Sequence, residues 1–264
     1  MSLVVLGDLM VDVVARIAGP LARGSDTPAE VSVSGGGSAA NVAAWAAALG
    51  HRVSLACRVG EDDRGMVAVG DLVEAGVRVN ASVDERRPTG TCVVLVEPAG
   101  ERTMLPDPGA NDAPADVPDD WLVSGGHLHV VGYALLRDGA RPGALDAIAR
   151  ARAAGMTMSV DPSSWALIRD GAIPRVDLLL PNEREAEVLG HPLALAGEVV
   201  TKLGAEGAEW TDGRDVVRVP AAAVDVVDTT GAGDALAAGF LVGGIELGLE
   251  AAARCVGQLG AVPS

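Results

Sequence analysis

Asp228-Thr229-Thr230-Gly231-Ala232-Gly233-Asp234 runs directly into Ala235-Leu236-Ala237-Ala238-Gly239-Phe240-Leu241. The second run is apolar and predicts a buried helix. The first places two glycines and an aspartate at that helix's start. A helix N-terminus leaves several backbone N–H groups unpaired and carries partial positive charge. Glycines there let an anion approach the backbone closely. The result is a phosphate cradle with a carboxylate base beside it, a combination suited to phosphoryl transfer to a hydroxyl. Taken alone, the segment would also serve as a turn and N-cap before a core helix.

A second glycine segment changes that balance. Gly35-Gly36-Gly37-Ser38-Ala39-Ala40-Asn41 opens another apolar helix, Val42 to Leu49, closed by Gly50. Between the two lie Pro181-Asn182-Glu183-Arg184-Glu185 and Thr201-Lys202-Leu203-Gly204-Ala205-Glu206-Gly207. Near the N-terminus stands Gly7-Asp8-Leu9-Met10-Val11-Asp12. In this order and separation the segments resemble the signatures of the ribokinase-like (PfkB) carbohydrate kinase family. The resemblance runs from about residue 3 to the C-terminus.

Composition agrees with a globular α/β enzyme. The chain has 264 residues, 49% of them apolar, with one Phe, one Tyr and four Trp. Ala, Val, Leu and Gly dominate, as buried parallel strands and close helix packing require. The formal charge of −16 argues against a nucleic-acid or anionic-membrane surface. Cys57, Cys92 and Cys255 are odd in number and widely spaced, which reads as reduced thiols in a cytoplasmic protein. No basic stretch precedes an apolar run at the N-terminus, so no signal peptide is expected, nor any transmembrane helix. His127 and His129 would share one strand face, without a third ligand in evidence.

Leu3 to Leu6 reads as a buried strand ending at a site. Residues 13 to 34 read as irregular apart from a half-exposed strand at Val31 and Val33. Val53 to Val59 reads as strand and Arg64 to Ala75 as helix. Val77 to Val83, Thr91 to Val96 and Arg102 to Leu105 read as antiparallel strands, joined at Arg87-Pro88-Thr89-Gly90 and Pro98-Ala99-Gly100. Strands at 127–131, 156–160, 176–180, 199–203 and 208–211 then alternate with helices at 143–154 and 182–189. Such alternation implies a mainly parallel sheet covered on both faces. Ligands in these folds gather at the carboxyl ends of the strands, where Asp8, Asp161 and Asn182 fall.

The resemblance implies a ribokinase-like three-layer αβα sandwich with a mainly parallel central sheet. It also implies one kinase domain over 1–264, with a small β lid from about 13–34 and 78–105 that supports a homodimer. It assigns Asp234 as general base and the N–H groups of Ala232, Gly233 and Asp234 to the anion hole, with Gly231 among the catalytic residues of that turn. Asp12, Gly36, Gly37 and Asn41 match sugar-binding positions, with Tyr133 near a further one. Asn182, Thr201, Gly204 and Gly207 fall on the nucleotide side. Asn182 and Glu185 match the pair associated with Mg²⁺ through water, and Asp228 and Thr230 match a monovalent-cation site, usually K⁺. The implied cosubstrate is ATP with Mg²⁺.

Several positions depart from ribokinase itself. Met10 replaces an Asn, Ser38 replaces a Lys, and Tyr133 stands near a sugar-binding Glu, which together argue against free ribose as acceptor. Arg102 and Arg137 are available to meet an acidic sugar or a phosphate. The chain after Phe240 is short, which bears on the cation site and the adenine wall. A small-sugar kinase is the leading reading. A nucleoside kinase, including one for pseudouridine, and a ligand-sensing family member without turnover are the alternatives.

Overall fold

A computed structural model describes residues 2–98 and 101–263. The chain opens with β1 (Leu3–Leu6), four buried apolar residues. Gly7 to Leu9 then carry it out of the main sheet into β2 (Met10–Ile17) and β3 (Ala29–Gly36), which pair antiparallel from Met10–Gly36 to Ile17–Ala29. Next come α1 (Ser38–Ala48), β4 (Val53–Gly60), α2 (Asp63–Glu74) and β5 (Arg78–Asp84). Asp62 caps α2, its Oδ1 accepting from the Gly65 N–H at 2.8 Å. A second hairpin follows, β6 (Gly90–Val96) and β7 (Arg102–Asp107).

The second half supplies β8 (His127–Val131), α3 (Gly132–Leu136), α4 (Arg141–Ala153), β9 (Thr157–Asp161) and β10 (Val176–Leu179). It continues through α5 (Glu183–Leu189), α6 (Pro192–Leu195), β11 (Ala196–Lys202), β12 (Ala208–Thr211) and β13 (Val216–Val219). Two helices, α7 (Ala232–Gly243) and α8 (Ile245–Val256), complete it.

These strands form a nine-stranded sheet in the order β13-β12-β11-β10-β9-β8-β1-β4-β5. Pairing is parallel from β5 to β11 and antiparallel beyond. One face packs on α1, α2, α7 and α8, and the other on α3 and α4. The three-layer architecture with a mainly parallel sheet is therefore present. Its alanine-rich helices sit close: α1 is buried from Ala39 to Ala46. Within it Trp45 is fully buried and donates its Nε1–H to the Ala261 carbonyl at 2.8 Å, pinning the C-terminal segment.

The second, four-stranded sheet has the order β3-β2-β6-β7 and forms the lid. Its make-up corrects two expectations. Residues 13–34 hold more regular structure than the strand expected at Val31 and Val33, because β2 and β3 together occupy half of them. Residues 78–84 belong to the large sheet, where β5 pairs in parallel with β4. The reason is topological: α2 intervenes between β4 and β5, and a helical crossover returns the chain parallel. The turn expected at Pro98-Ala99-Gly100 lies outside the described residues at Ala99 and Gly100.

His127 and His129 do face one side of β8, and both rings reach the Ser159 hydroxyl, at 2.7 and 2.8 Å. Burial depresses them to about 4 and about 3 respectively, so both are neutral imidazoles in the sheet.

Candidate active site

The two glycine segments converge. Gly231 caps α7 with φ of +77°, and a Cβ there would lie 2.6 Å from that of Ala261, so only glycine fits. Gly37 caps α1 with φ of +97°, and a Cβ would lie 2.7 Å from the Asp8 carbonyl. The N-terminal ends of α1 and α7 thereby meet at one carboxylate. Asp234 Oδ1 accepts from the Ser38 hydroxyl at 2.6 Å, and its Oδ2 accepts from Asn41 Nδ2 at 2.8 Å. Ala232 N–H reaches the Thr229 carbonyl only at 3.4 Å. The N–H groups of Gly233 and Asp234 have no backbone acceptor among the described residues, so they are available to an anion.

Burial pushes Asp234 up to about 7, against the lowering effect of the Ser38 and Asn41 hydrogen bonds. A carboxylate tuned near neutrality suits general-base work. Asn41, expected on the sugar side, lines the same cavity as Asp234 and donates its amide to it, while its Oδ1 is buried without a partner among the described residues.

Asp234 lies on a cavity of about 550 Å³ between the lid and the carboxyl edge of the large sheet. Asp12, Gly37, Tyr133 and Arg137 line it, with Met10, Met104 and Pro106 from the lid. Asp12 belongs to lid strand β2; burial, then the nearby Asp8, raises it to about 6. Gly36 stays outside this cavity and makes room for Asp12, whose carboxylate a Cβ at Gly36 would strike. Tyr133 sits on α3 with the Arg137 guanidinium 4.8 Å from its ring centroid. Arg137 forms no ion pair within 4.0 Å among the described residues.

A second cavity of about 480 Å³ adjoins it. Gly204, Gly207 and Ala221 to Val224 form one wall, and Leu249, Ala252, Ala253 and Val256 of α8 form another. This predominantly apolar slot fits a planar heterocycle. Helix α8, which sequence reasoning did not delineate, thus lines this slot. Thr201 lines neither cavity, whereas its neighbour Lys202 lines both. Adjacent residues of a strand face opposite sides, and the outward one here is Thr201.

Asn182 and Glu185 form a reciprocal capping box on α5: Asn182 Oδ1 accepts from the Glu185 N–H, and Glu185 Oε2 from the Asn182 N–H, both at 2.9 Å. Both line the larger cavity, not the apolar slot. Glu185 is 2% exposed rather than a surface residue, and burial, then Asp161, raises its pKa. Opposite, Lys202 Nζ meets Asp161 Oδ2 at 2.5 Å. Burial works against that ammonium, but Asp161 and Glu185 outweigh it and the net shift is upward. The pairing joins the ends of β9 and β11, which flank β10.

The monovalent-cation expectation at Asp228 and Thr230 meets an occupied set of oxygens. Arg102 of lid strand β7 donates Nη1–H to Asp228 Oδ1 at 2.9 Å and also reaches the Thr229 and Thr230 hydroxyls. The same Oδ1 accepts from the Thr230 N–H and hydroxyl, and Oδ2 from the Gly260 N–H. A guanidinium already supplies the positive charge there.

The chain is similar to known proteins over nearly its whole length. The profile of the pfkB family carbohydrate kinase matches residues 1–262. An ATP-dependent ribose-1-phosphate kinase from Halopiger xanaduensis is 37% identical over 240 residues, covering 84% of this chain and 79% of that protein. A fructokinase from Escherichia coli is 30% identical over 278 residues, covering 93% and 85%. The adenosine kinase structure from Sinorhizobium meliloti superposes with a TM-score of 0.83 at 27% identity, covering 99% and 95%.

Proposed function

The chain belongs to the pfkB family of carbohydrate kinases, and on that footing we propose that it moves the γ-phosphoryl group of ATP to a hydroxyl of a small sugar. The observation that carries this reading is Asp234: a carboxylate raised to about 7, at the N-terminus of α7, lying on a polar cavity that adjoins an apolar slot. The apolar slot takes the adenine and the polar cavity takes the acceptor. Asp234 accepts the acceptor's hydroxyl proton. The free amides of Gly233 and Asp234, with Gly231 and Ala232 shaping the turn, hold the phosphoryl oxygens.

Mg²⁺ fits this arrangement. Glu185 is a buried carboxylate on the cavity, and a nearby divalent cation would favour its ionised form. Mg²⁺ keeps several waters, so Glu185 and Asn182 would hold it through them. When bound, the ion neutralises the triphosphate. K⁺ does not fit, because Arg102 stands on the oxygens that would ligate it.

The acceptor is proposed to be other than free ribose, with an anionic sugar favoured. Arg137 brings to the acceptor cavity a cation without an ion-pair partner among the described residues, and one relative is an ATP-dependent ribose-1-phosphate kinase. Guanidinium is well matched to phosphate. A nucleoside acceptor is the second reading, because Tyr133 lines the cavity and a structural neighbour is an adenosine kinase. A sensor without turnover is disfavoured by the intact Ser38–Asp234–Asn41 arrangement. The three cysteines are free thiols, which favours a reducing compartment such as the cytoplasm. No helix among the described residues is long and apolar enough to cross a membrane.

The test is ADP release with ATP and Mg²⁺ across free sugars, sugar 1-phosphates and nucleosides. A sugar or sugar phosphate as best acceptor supports the proposal. A nucleoside as best acceptor transfers it to the second reading.

A further inference from the structure

Three residues line both cavities: Lys202, Thr229 and Gly233. They mark the seam that a group passing from donor to acceptor must cross. Among them only Lys202 is charged. Its side chain is 12% exposed, and Asp161, 3% exposed, fixes its ammonium at 2.5 Å. Gly233 lies close beside the ammonium: a Cβ there would come within 3.5 Å of Lys202 Nζ, an ordinary contact distance. Asp234, the proposed base, follows Gly233 directly. An ammonium held at this seam faces the place where negative charge is in transit.

Resting on the kinase reading above, we propose that Lys202 is a catalytic residue whose ammonium contacts the phosphoryl group during transfer. In that step the acceptor oxygen bonds to phosphorus and its proton passes to Asp234. The bond from phosphorus to the β–γ bridging oxygen breaks, and its electron pair leaves with ADP. Lys202 keeps its protons throughout and donates hydrogen bonds to the non-bridging oxygens. Asp161 is the positioning residue: it holds the Lys202 chain across the end of β10. Because an ammonium has three donors, the ion pair leaves others for the ligand.

The competing account makes Lys202 only the counter-ion of a buried Asp161. Removing one member of a buried pair strands the other, so Lys202→Met alone is an ambiguous probe. The double variant Asp161→Asn/Lys202→Met removes both charges and keeps the test open if the single variant fails to fold. Titration calorimetry would use AMPPNP and ADP as probes, alongside kcat on whichever acceptor the wild type phosphorylates.

We expect the folded double variant to bind AMPPNP at least about tenfold more weakly while ADP affinity changes less than about threefold. Its kcat should fall about 100-fold or more, as loss of one preorganised donor to a transition-state oxyanion does, with acceptor KM within about threefold. A folded double variant with wild-type kcat and undiminished AMPPNP affinity would overturn the proposal and leave Lys202 a structural ion. Failure of the wild type to bind either nucleotide would instead bring down the kinase reading itself.

Discussion

Asp234 carries the most weight of any single side chain. Asp234→Asn keeps the shape and the Ser38 and Asn41 neighbours, so the variant should fold with an unchanged melting temperature to within a few degrees. Its kcat should drop by about 10²–10⁴, the usual worth of a general base; a loss below threefold at saturating acceptor would remove Asp234 from that role. The pH dependence has a defined sign. A base acts only when ionised, and burial raises Asp234 to about 7. Activity should therefore be lost as pH falls through about 7 and level off above it. A rate still flat down to pH 5 would contradict that assignment. Asp12 is separable from this. Asp12→Ala should raise the acceptor KM by about 10- to 100-fold, the cost of a charged hydrogen bond, and leave ATP affinity nearly unchanged. Weaker ATP binding with unaltered acceptor KM would show that the two cavities are assigned the wrong way round.

At the scale of elements, the lid makes the consequential contact. Strand β7 delivers Arg102 to the segment that precedes α7, so the position of the lid and the charge beside the start of α7 are coupled. With the guanidinium in place, rates in K⁺, Na⁺ and tetramethylammonium at equal ionic strength should agree within about twofold. Arg102→Ala frees the Asp228 and Thr230 oxygens and should make the rate respond to K⁺. Several-fold K⁺ activation of the wild type would contradict this. The lid's outer face also bears on assembly. Val33, Val13, Val93 and Leu105 are aligned across its four strands, and three of them are exposed. We propose a homodimer through this face. Val33→Asp should shift the sedimentation profile toward monomer, and a wild type that is already monomeric at assay concentration would exclude the dimer.

For the whole molecule, what could be read from the sequence followed from local chemistry. Glycine turns before apolar helices announced the N-termini of α1 and α7, and alternating apolar runs announced the parallel strands. The lid was harder to see. Strand β2 is buried at Met10 to Asp12 and half-exposed from Val13 to Arg16, so no two-residue alternation marks it. Strand β5 was visible as a strand, but its partner depends on the α2 crossover. The contacts that complete the site were invisible for a different reason. Arg102 meets Asp228 across 126 positions and Lys202 meets Asp161 across 41, and no periodic pattern spans such distances. Motif spacing pointed to Thr201, whereas its neighbour Lys202 is the residue that lines both cavities.

The central claim is phosphoryl transfer from ATP to a sugar hydroxyl with Asp234 as the base. The most direct measurement is ³¹P NMR of the purified protein with ATP, Mg²⁺ and a panel of free sugars, ribose 1-phosphate and nucleosides, run beside Asp234→Asn. The account predicts a new sugar phosphate ester, formed in step with ADP, from a sugar or sugar phosphate other than free ribose, and its near-disappearance in the variant. ADP without any new ester, or an ester formed equally fast by Asp234→Asn, would contradict it.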